Sequence, residues 1–431
     1  MIKLLIKKLQ KGETAKNSLI ALLLKVLGVG LLFILTLFLT NNFAADLVGQ
    51  FSFSRSVILI LGGFTVVGTE QSIIYYAGYL KSKESENNLK LVYIKSLRLI
   101  VYACLILLFL IFLMDEDFIN SYFEIDNPYT LIKKVVLYLF FYSVMMLNIG
   151  VFRALNKITL SELYRNIWLF LLFLAFSYFL LVYNLETWLV DAFLCSYLVL
   201  SIISTYQVYL IFKKTKSVNK EVNISTKNLF LTSYPMALNT MTFFLLQSVG
   251  VILLGKFENF EVVAYYDTAV RVATLTSMGV MSVNIAIAPK LSEEFNKGNL
   301  TELRKIFKSA IKLMFLLSMP AILFLVLFTD FTLGLFGAEY KSAKTALYIL
   351  VASQFLTTFM GISGTYMNMT GKQGVLHKIL IFACALNVLL NYLLVPKMGM
   401  NGSALAAGIS MVSWHVVASI IIYKKDKISF L

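Results

Sequence analysis

Residues 96–114 read SLRLIVYACLILLFLIFLM and are followed by Asp115-Glu116-Asp117. From Leu99 to Met114 no residue is charged, and the run is about the length that crosses the hydrocarbon core of a bilayer as a helix. Moving outward from it, eleven more stretches qualify. The full set is 17–40, 51–72, 96–114, 131–152, 166–183, 188–212, 229–254, 263–288, 308–328, 342–368, 375–395 and 402–423. None shows the short alternating segments of a membrane β-barrel. Across all 431 residues, 59% are hydrophobic and 14% charged, against roughly 45–50% and about 25% for soluble domains. A water-soluble fold cannot hide that excess. A soluble enzyme, a disordered chain and a disulfide-stapled chain are excluded, leaving a polytopic membrane protein.

The net charge of +15 would suggest a nucleic-acid partner in a soluble protein. Here its distribution says otherwise. With the N-terminus inside, the two tails and the connections after stretches 2, 4, 6, 8 and 10 carry 29 Lys+Arg and 9 acids, a balance of +20. The other connections carry 6 Lys+Arg and 12 acids, a balance of −6. This is the positive-inside pattern. It predicts cytoplasmic termini, with Met1–Lys16 as a retained tail, and no nucleic-acid partner. Cys104, Cys195 and Cys384 lie in apolar runs without metal or redox spacing and read as small hydrophobes. No connection is long enough for a soluble catalytic domain. No Walker loop, HExxH or CxxC is present, so the chain is not expected to be an enzyme.

A repeat is visible. Lys95-Ser96 and Asp117-Phe118 recur as Lys308-Ser309 and Asp330-Phe331 at a constant offset of 213. Leu137-Tyr138-Leu139 recurs as Leu347-Tyr348-Ile349, and Arg55 as Arg271. Six spans per half put both halves in the same orientation, so an axis along the membrane normal relates them and a cavity is expected between them. The expected organisation is an N-terminal six-helix lobe at 1–215, a cytoplasmic linker at 216–228 and a C-terminal lobe at 229–431. This is transporter architecture.

With Arg98, Lys133, Lys134, Asp191, Lys308, Lys312, Lys344 and Lys378 counted with the adjoining connections, five charges are left inside spans: Lys25, Arg55, Glu70, Asp267 and Arg271. Such groups are costly in a bilayer and mark function by default. For Lys25 and Arg55 the alternative is snorkelling to the interface. For Arg271 it is an ion pair with Asp267, four residues before it and on the same helix face. Pseudo-symmetry favours Arg55 and Arg271 pointing at one shared space, with Lys25 as a third cation. Three cations in a partly dry cavity would bind a phosphate or pyrophosphate strongly. Glu70 and Asp267 are the candidate carboxylates for coupling to an ion or proton. His377 and His415 receive no role. Pro235, Pro289 and Pro320 are expected to kink spans 7, 8 and 9.

The last quarter resembles a known family. Asn368-Met-Thr-Gly371-Lys372 and Asn387-Val-Leu-Leu-Asn391-Tyr-Leu-Leu-Val-Pro396-Lys-Met-Gly399-Met-Asn-Gly402-Ser-Ala-Leu-Ala-Ala407 look like the tail of Wzx-type polysaccharide flippases of the MOP exporter superfamily. Val48-Gly49-Gln50-Phe51-Ser52 resembles that family's "YG.FS" element, and Ser233-Tyr234-Pro235 with Leu253-Leu254-Gly255 its span 7 pattern. The resemblance implies an all-α integral membrane protein with 12 transmembrane helices in two six-helix lobes related by pseudo-two-fold symmetry, a MATE-like fold working by alternating access. It implies an undecaprenyl-pyrophosphate-linked oligosaccharide as substrate and the bacterial cytoplasmic membrane as location. A polysaccharide polymerase and chain-length machinery are implied partners. It implies no cofactor beyond a proton or sodium gradient. Related lipid II flippases carry cavity arginines on spans 1, 2 and 8, which Lys25, Arg55 and Arg271 match in placement. Where many members have an acid on span 7, this chain has Gly250, which puts cation coupling there in doubt. The alternative functions are a drug or metabolite/cation antiporter of the same superfamily, which predicts an acid-dominated cavity, and a glycan polymerase or ligase, which predicts a large outer loop. A channel or scaffold fits the repeat less well.

Overall fold

The computed structural model describes residues 13–82, 88–213 and 224–428. Much of the expected N-terminal tail and inter-lobe linker therefore lies outside the described residues. Among the described residues there are helices and no strands. Helices α1 (Glu13–Asn42), α2 (Ala45–Lys81), α3 (Leu89–Leu113), α4 (Pro128–Ala154), α5 (Ile158–Val182) and α6 (Glu186–Lys213) come first. Then follow α7 (Thr226–Phe257), α8 (Phe260–Asn296), α9 (Leu300–Leu327), α10 (Glu339–Thr358 with Ser363–Met369), α11 (Gln373–Met398) and α12 (Met400–Asp426). Each expected stretch overlaps one helix in order, and α7 and α10 are each bent by more than 40°.

The repeat is visible in the elements. Both α2 and α8 are 37 residues long. Each is interrupted, α2 at Val66–Gly68 and α8 at the 3-10 turn Leu275–Ser277. Each is followed by a long apolar helix and then a short one, Glu116–Tyr122 or Thr329–Gly334. Asp117-Phe118 and Asp330-Phe331 fall in those two short helices. Large apolar side chains such as Phe109, Leu113, Leu316 and Leu327 are exposed on α3 and α9. In a bilayer that is the lipid-facing arrangement.

By packing, the chain forms two units, one of residues up to Leu35 with Ser54–Phe244, the other of Thr36–Phe53 with Leu245–Leu431. Compared with the expected boundary, two segments pack with the other half. Thr36–Phe53 joins the second unit because glycine and aromatic contacts hold it there. A Cβ on Gly49 would lie 1.9 Å from the Phe260 carbonyl oxygen, Phe53 meets the Phe260 ring edge-on at 6.1 Å, and Asn41 Nδ2 donates to the Leu335 carbonyl at 2.8 Å. The first half of α7 joins the first unit through Ser233, whose hydroxyl donates to Ser72 Oγ at 2.7 Å, and through Gly68, whose Cβ would strike the Ser233 carbonyl.

The first unit is cemented by a buried amide. Tyr93 Oη donates to Asn148 Oδ1 at 2.9 Å, and Asn148 Nδ2 donates to Ser204 Oγ and Thr205 Oγ1, each at 2.9 Å. In the second unit an apolar core runs through Leu291, Phe307, Met314, Tyr366 and Ile422. The family-like motif of the last quarter is a tight α11–α12 hairpin. Gly399 takes φ +54°, a conformation glycine adopts without a Cβ penalty. A Cβ on Gly402 would meet the Leu394 carbonyl at 2.5 Å, so only glycine lets α12 start that close to α11.

Candidate functional site

In the second unit, Arg271 and Asp267 are 8% and 5% exposed. Arg271 Nη2 donates to Asp267 Oδ2 at 2.6 Å and Nη1 to Thr36 Oγ1 at 3.0 Å. Its guanidinium lies 5.2 Å from the centre of the Phe51 ring, a cation–π distance. The ion pair expected from the i,i+4 spacing is therefore formed, and α1 and α2 supply the other two faces of the pocket around it. The "FS" half of the family-like element thus has a physical role: Phe51 carries the arginine.

In the first unit the break in α2 places Glu70. Val67 has φ +52°, which a β-branched residue rarely tolerates, and such strain tends to gather at functional positions. The chain then restarts at Thr69. Across this break Arg55 and Glu70 do not lie on one continuous helix. Glu70 instead meets Arg165, whose Nη2 donates to Glu70 Oε2 at 3.1 Å. Gly150 makes room for this, since its Cβ would lie 2.5 Å from the Glu70 carbonyl oxygen. A pocket here is lined by Gly62, Gly63, Glu70, Tyr142 and Arg165 among others. The Tyr142 hydroxyl is buried and accepts or donates no hydrogen bond among the described residues. Glu70, Arg165 and Arg55 all lie within electrostatic reach of it. Arg55 is half-buried and forms no ion pair among the described residues.

Lys25 is half-buried and likewise without an ion pair among the described residues. It lies within electrostatic reach of Glu162, Arg153 and Arg165. Gly28, one turn further along α1, brings that helix against the backbone of Asn166. Glu162 is 1% exposed and accepts from Arg153 Nη2 at 2.5 Å and from Asn166 Nδ2 at 2.8 Å.

Residues 153–165 read in sequence as a polar connection. In the structure α5 begins at Ile158, and Tyr164–Trp168 forms a π-helical turn. Glu162 and Arg165 are thus inside a membrane helix, beyond the five intramembrane charges expected. Single π-turns within helices often sit at functional positions. The one available signal was that the apolar run starting at Ile167 could be extended backwards by two turns.

A third polar group occupies the second unit where the family-like pattern has an acid. Ser403 Oγ donates to Asn391 Oδ1 at 2.8 Å and lies 3.3 Å from the Gly250 carbonyl. Asn391 in turn donates to Asn387 Oδ1. A Cβ on Gly250 would fall 2.8 Å from Ser403 Oγ and 2.9 Å from Tyr266 Oη. A side chain at this position would have to displace Ser403 Oγ and Tyr266 Oη. Gly250→Asp is expected to destabilise the protein by about 1–3 kcal/mol, the usual cost of overpacking, read as a lower thermal midpoint in detergent; an unchanged midpoint would contradict this packing.

Among the described residues, up to twelve membrane-length helices in a repeated order, with charged side chains buried inside them, define a polytopic membrane protein. Residues 14–295 match the family model described as polysaccharide biosynthesis protein, and residues 235–393 match the MatE model. The chain belongs to the polysaccharide biosynthesis protein family. It is similar to the probable low-salt glycan biosynthesis flippase Agl15 of Haloferax volcanii, at 25% identity over 199 residues. That match spans 46% of this chain and 42% of Agl15, less than half of either. The probable flippase AglR of the same organism is 22% identical, with 89% of this chain and 78% of AglR covered. Among solved structures, an inward-facing multidrug resistance MATE transporter shares the fold at TM-score 0.73 and 17% identity, covering 95% of this chain and 99% of that one. The lipid II flippase MurJ shares it at TM-score 0.72 and 13% identity, covering 93% of this chain and 87% of MurJ.

Proposed function

We propose that the protein is a flippase that moves a polyprenyl-pyrophosphate-linked oligosaccharide, undecaprenyl in a bacterium, from the cytoplasmic to the outer leaflet by alternating access, for surface polysaccharide synthesis. The carrying observation is a cation inside a span, Arg55, that forms no ion pair among the described residues, in a chain of the polysaccharide biosynthesis family. Lys25, Arg55 and Arg271 are assigned to the pyrophosphate, because guanidinium and ammonium groups bind phosphate oxygens best where water is scarce. Glu70 and Asp267 each hold an arginine in the structure, and we assign them to coupling through those pairs. We assign both termini to the cytoplasmic side, a reading the positive-inside charge distribution supports. An excess of cations over acids in the spans supports an anionic substrate over the cationic drugs of the antiporter alternative. The glycan polymerase of the same pathway class is the proposed neighbour in the membrane.

Arg55→Ala breaks no ion pair, so stability is expected to stay within about 0.5 kcal/mol of the parent. Export of the lipid-linked glycan in cells, measured as surface polysaccharide at matched expression, is expected to fall at least tenfold. Unchanged export would remove Arg55 from the substrate site.

A further inference from the structure

The cations of the first unit outnumber their acids. Lys25, Arg55, Arg153 and Arg165 carry four positive charges, and Glu70 and Glu162 carry two negative ones. All belong to helices of one packing unit. Charge left uncompensated inside a membrane span is expensive, and an anion carrying two charges would balance this set. The distribution is also uneven. Glu162 is spent on Arg153 and Asn166. Glu70 engages a single Nη of Arg165, while Arg165 Nε is buried with no hydrogen-bond partner among the described residues. Lys25 has no carboxylate within ion-pair distance among the described residues. Arg153 and Arg165 keep about a third of their side-chain surface accessible, at 35% and 31%.

We infer that Arg153 and Arg165 join Lys25 in a phosphate-binding cluster, held by α1, the end of α4 and the π-turn of α5, which shares Lys25 with the proposed substrate site and takes the pyrophosphate headgroup of a lipid. Glu70 is the internal competitor for Arg165 at this site. The π-turn serves it directly, because it presents Arg165 to Glu70 while Asn166, the next residue, fixes Glu162. An arriving pyrophosphate takes the guanidinium fork from a single-contact carboxylate, since two oxygens on neighbouring phosphorus atoms can accept from both Nη and the idle Nε. Arg55 of α2 and Arg165 both lie within electrostatic reach of Tyr142. The lipid identity of the ligand rests on the flippase reading; the anion site rests on the geometry alone.

The test is equilibrium binding to the purified full-length protein in detergent, with inorganic pyrophosphate as one probe and a polyprenyl pyrophosphate as the other. Pyrophosphate is expected to bind the parent, and Arg165→Gln and Lys25→Gln are each expected to weaken it at least tenfold. Glu70→Gln is expected to tighten it severalfold, because the competitor is gone. That gain cannot come from misfolding, so it remains decisive if an arginine variant fails to fold. Absence of pyrophosphate binding by the parent, equal binding by Arg165→Gln, or no gain in Glu70→Gln overturns the site. Polyprenyl pyrophosphate is expected to displace inorganic pyrophosphate; failure to do so overturns the lipid assignment while leaving a soluble-anion site. Glycan export lost or absent alongside intact, Arg165-dependent binding would instead count against the flippase function.

Discussion

Arg271→Ala is expected to destabilise the second unit by about 3–5 kcal/mol, the range for removing one partner of a buried ion pair. Asp267 would remain 5% exposed with its arginine gone, and Thr36 Oγ1 and the Phe51 ring would lose the group they pack around. The expected readout is a large fall in thermal midpoint and in the yield of folded protein from detergent extraction. This would obscure the functional question, so the informative variant is the pair Arg271→Met with Asp267→Leu. Replacing a buried pair by apolar residues of similar volume is often neutral or stabilising. The double variant is therefore expected to fold like the parent and still fail to export glycan. A double variant that folds and exports normally would reduce Arg271 and Asp267 to structural roles. An Arg271→Ala protein as stable as the parent would mean the pair is not buried as described.

The second large effect is expected at Gly49. A Cβ there would stand 1.9 Å from the Phe260 carbonyl oxygen and 2.5 Å from its carbon. Those are backbone atoms of α8 and cannot swing aside. Overpacking usually costs roughly 1–3 kcal/mol, and more where nothing can yield, so Gly49→Val is placed at or above the top of that range. Moving α2 away would also pull Phe53 from Phe260 and Phe51 from Arg271, so whatever folds should be impaired in transport as well. Gly30→Ala is the matched control, because nothing lies within 4 Å of a Cβ at that position. The expected result is a normal monodisperse peak on size exclusion for Gly30→Ala and little or none for Gly49→Val. Equal peaks would contradict the close approach of α2 to α8.

The pattern of hydrophobic runs carried the helix count and order, because a bilayer imposes one length on every span and leaves few alternatives. It also carried the Arg271–Asp267 pair, which is local: four residues apart on one helix, the two must share a face. What failed to show depended on contacts between distant segments. Leu155 through Arg165 has loop composition; Leu155-Asn156-Lys157 is the turn, but from Ile158 the segment is helical, with Glu162 held by Arg153 and Asn166. The break at Val67 carries no turn residue before Gly68, and it exists because Gly68 must press on Ser233. Glu70 stands out in the sequence as an acid within an apolar stretch, but its partner Arg165 lies in a segment of loop composition. In the sequence Gly49 and Gly402 stand out only within family-like patterns; the physical reason for each is a backbone carbonyl from another helix.

The most direct test of the flippase reading is translocation by the purified protein alone. Proteoliposomes carrying a polyprenyl-pyrophosphate-linked oligosaccharide in both leaflets would be treated outside with a membrane-impermeant glycosidase, and the cleaved fraction followed with time. Intramembrane cations engaging the headgroup predict that the protein renders inner-leaflet glycan accessible, and that Arg55→Ala, which should fold normally, slows this at least tenfold. A cleaved fraction that stays at the outer-leaflet value with folded protein present would contradict the account.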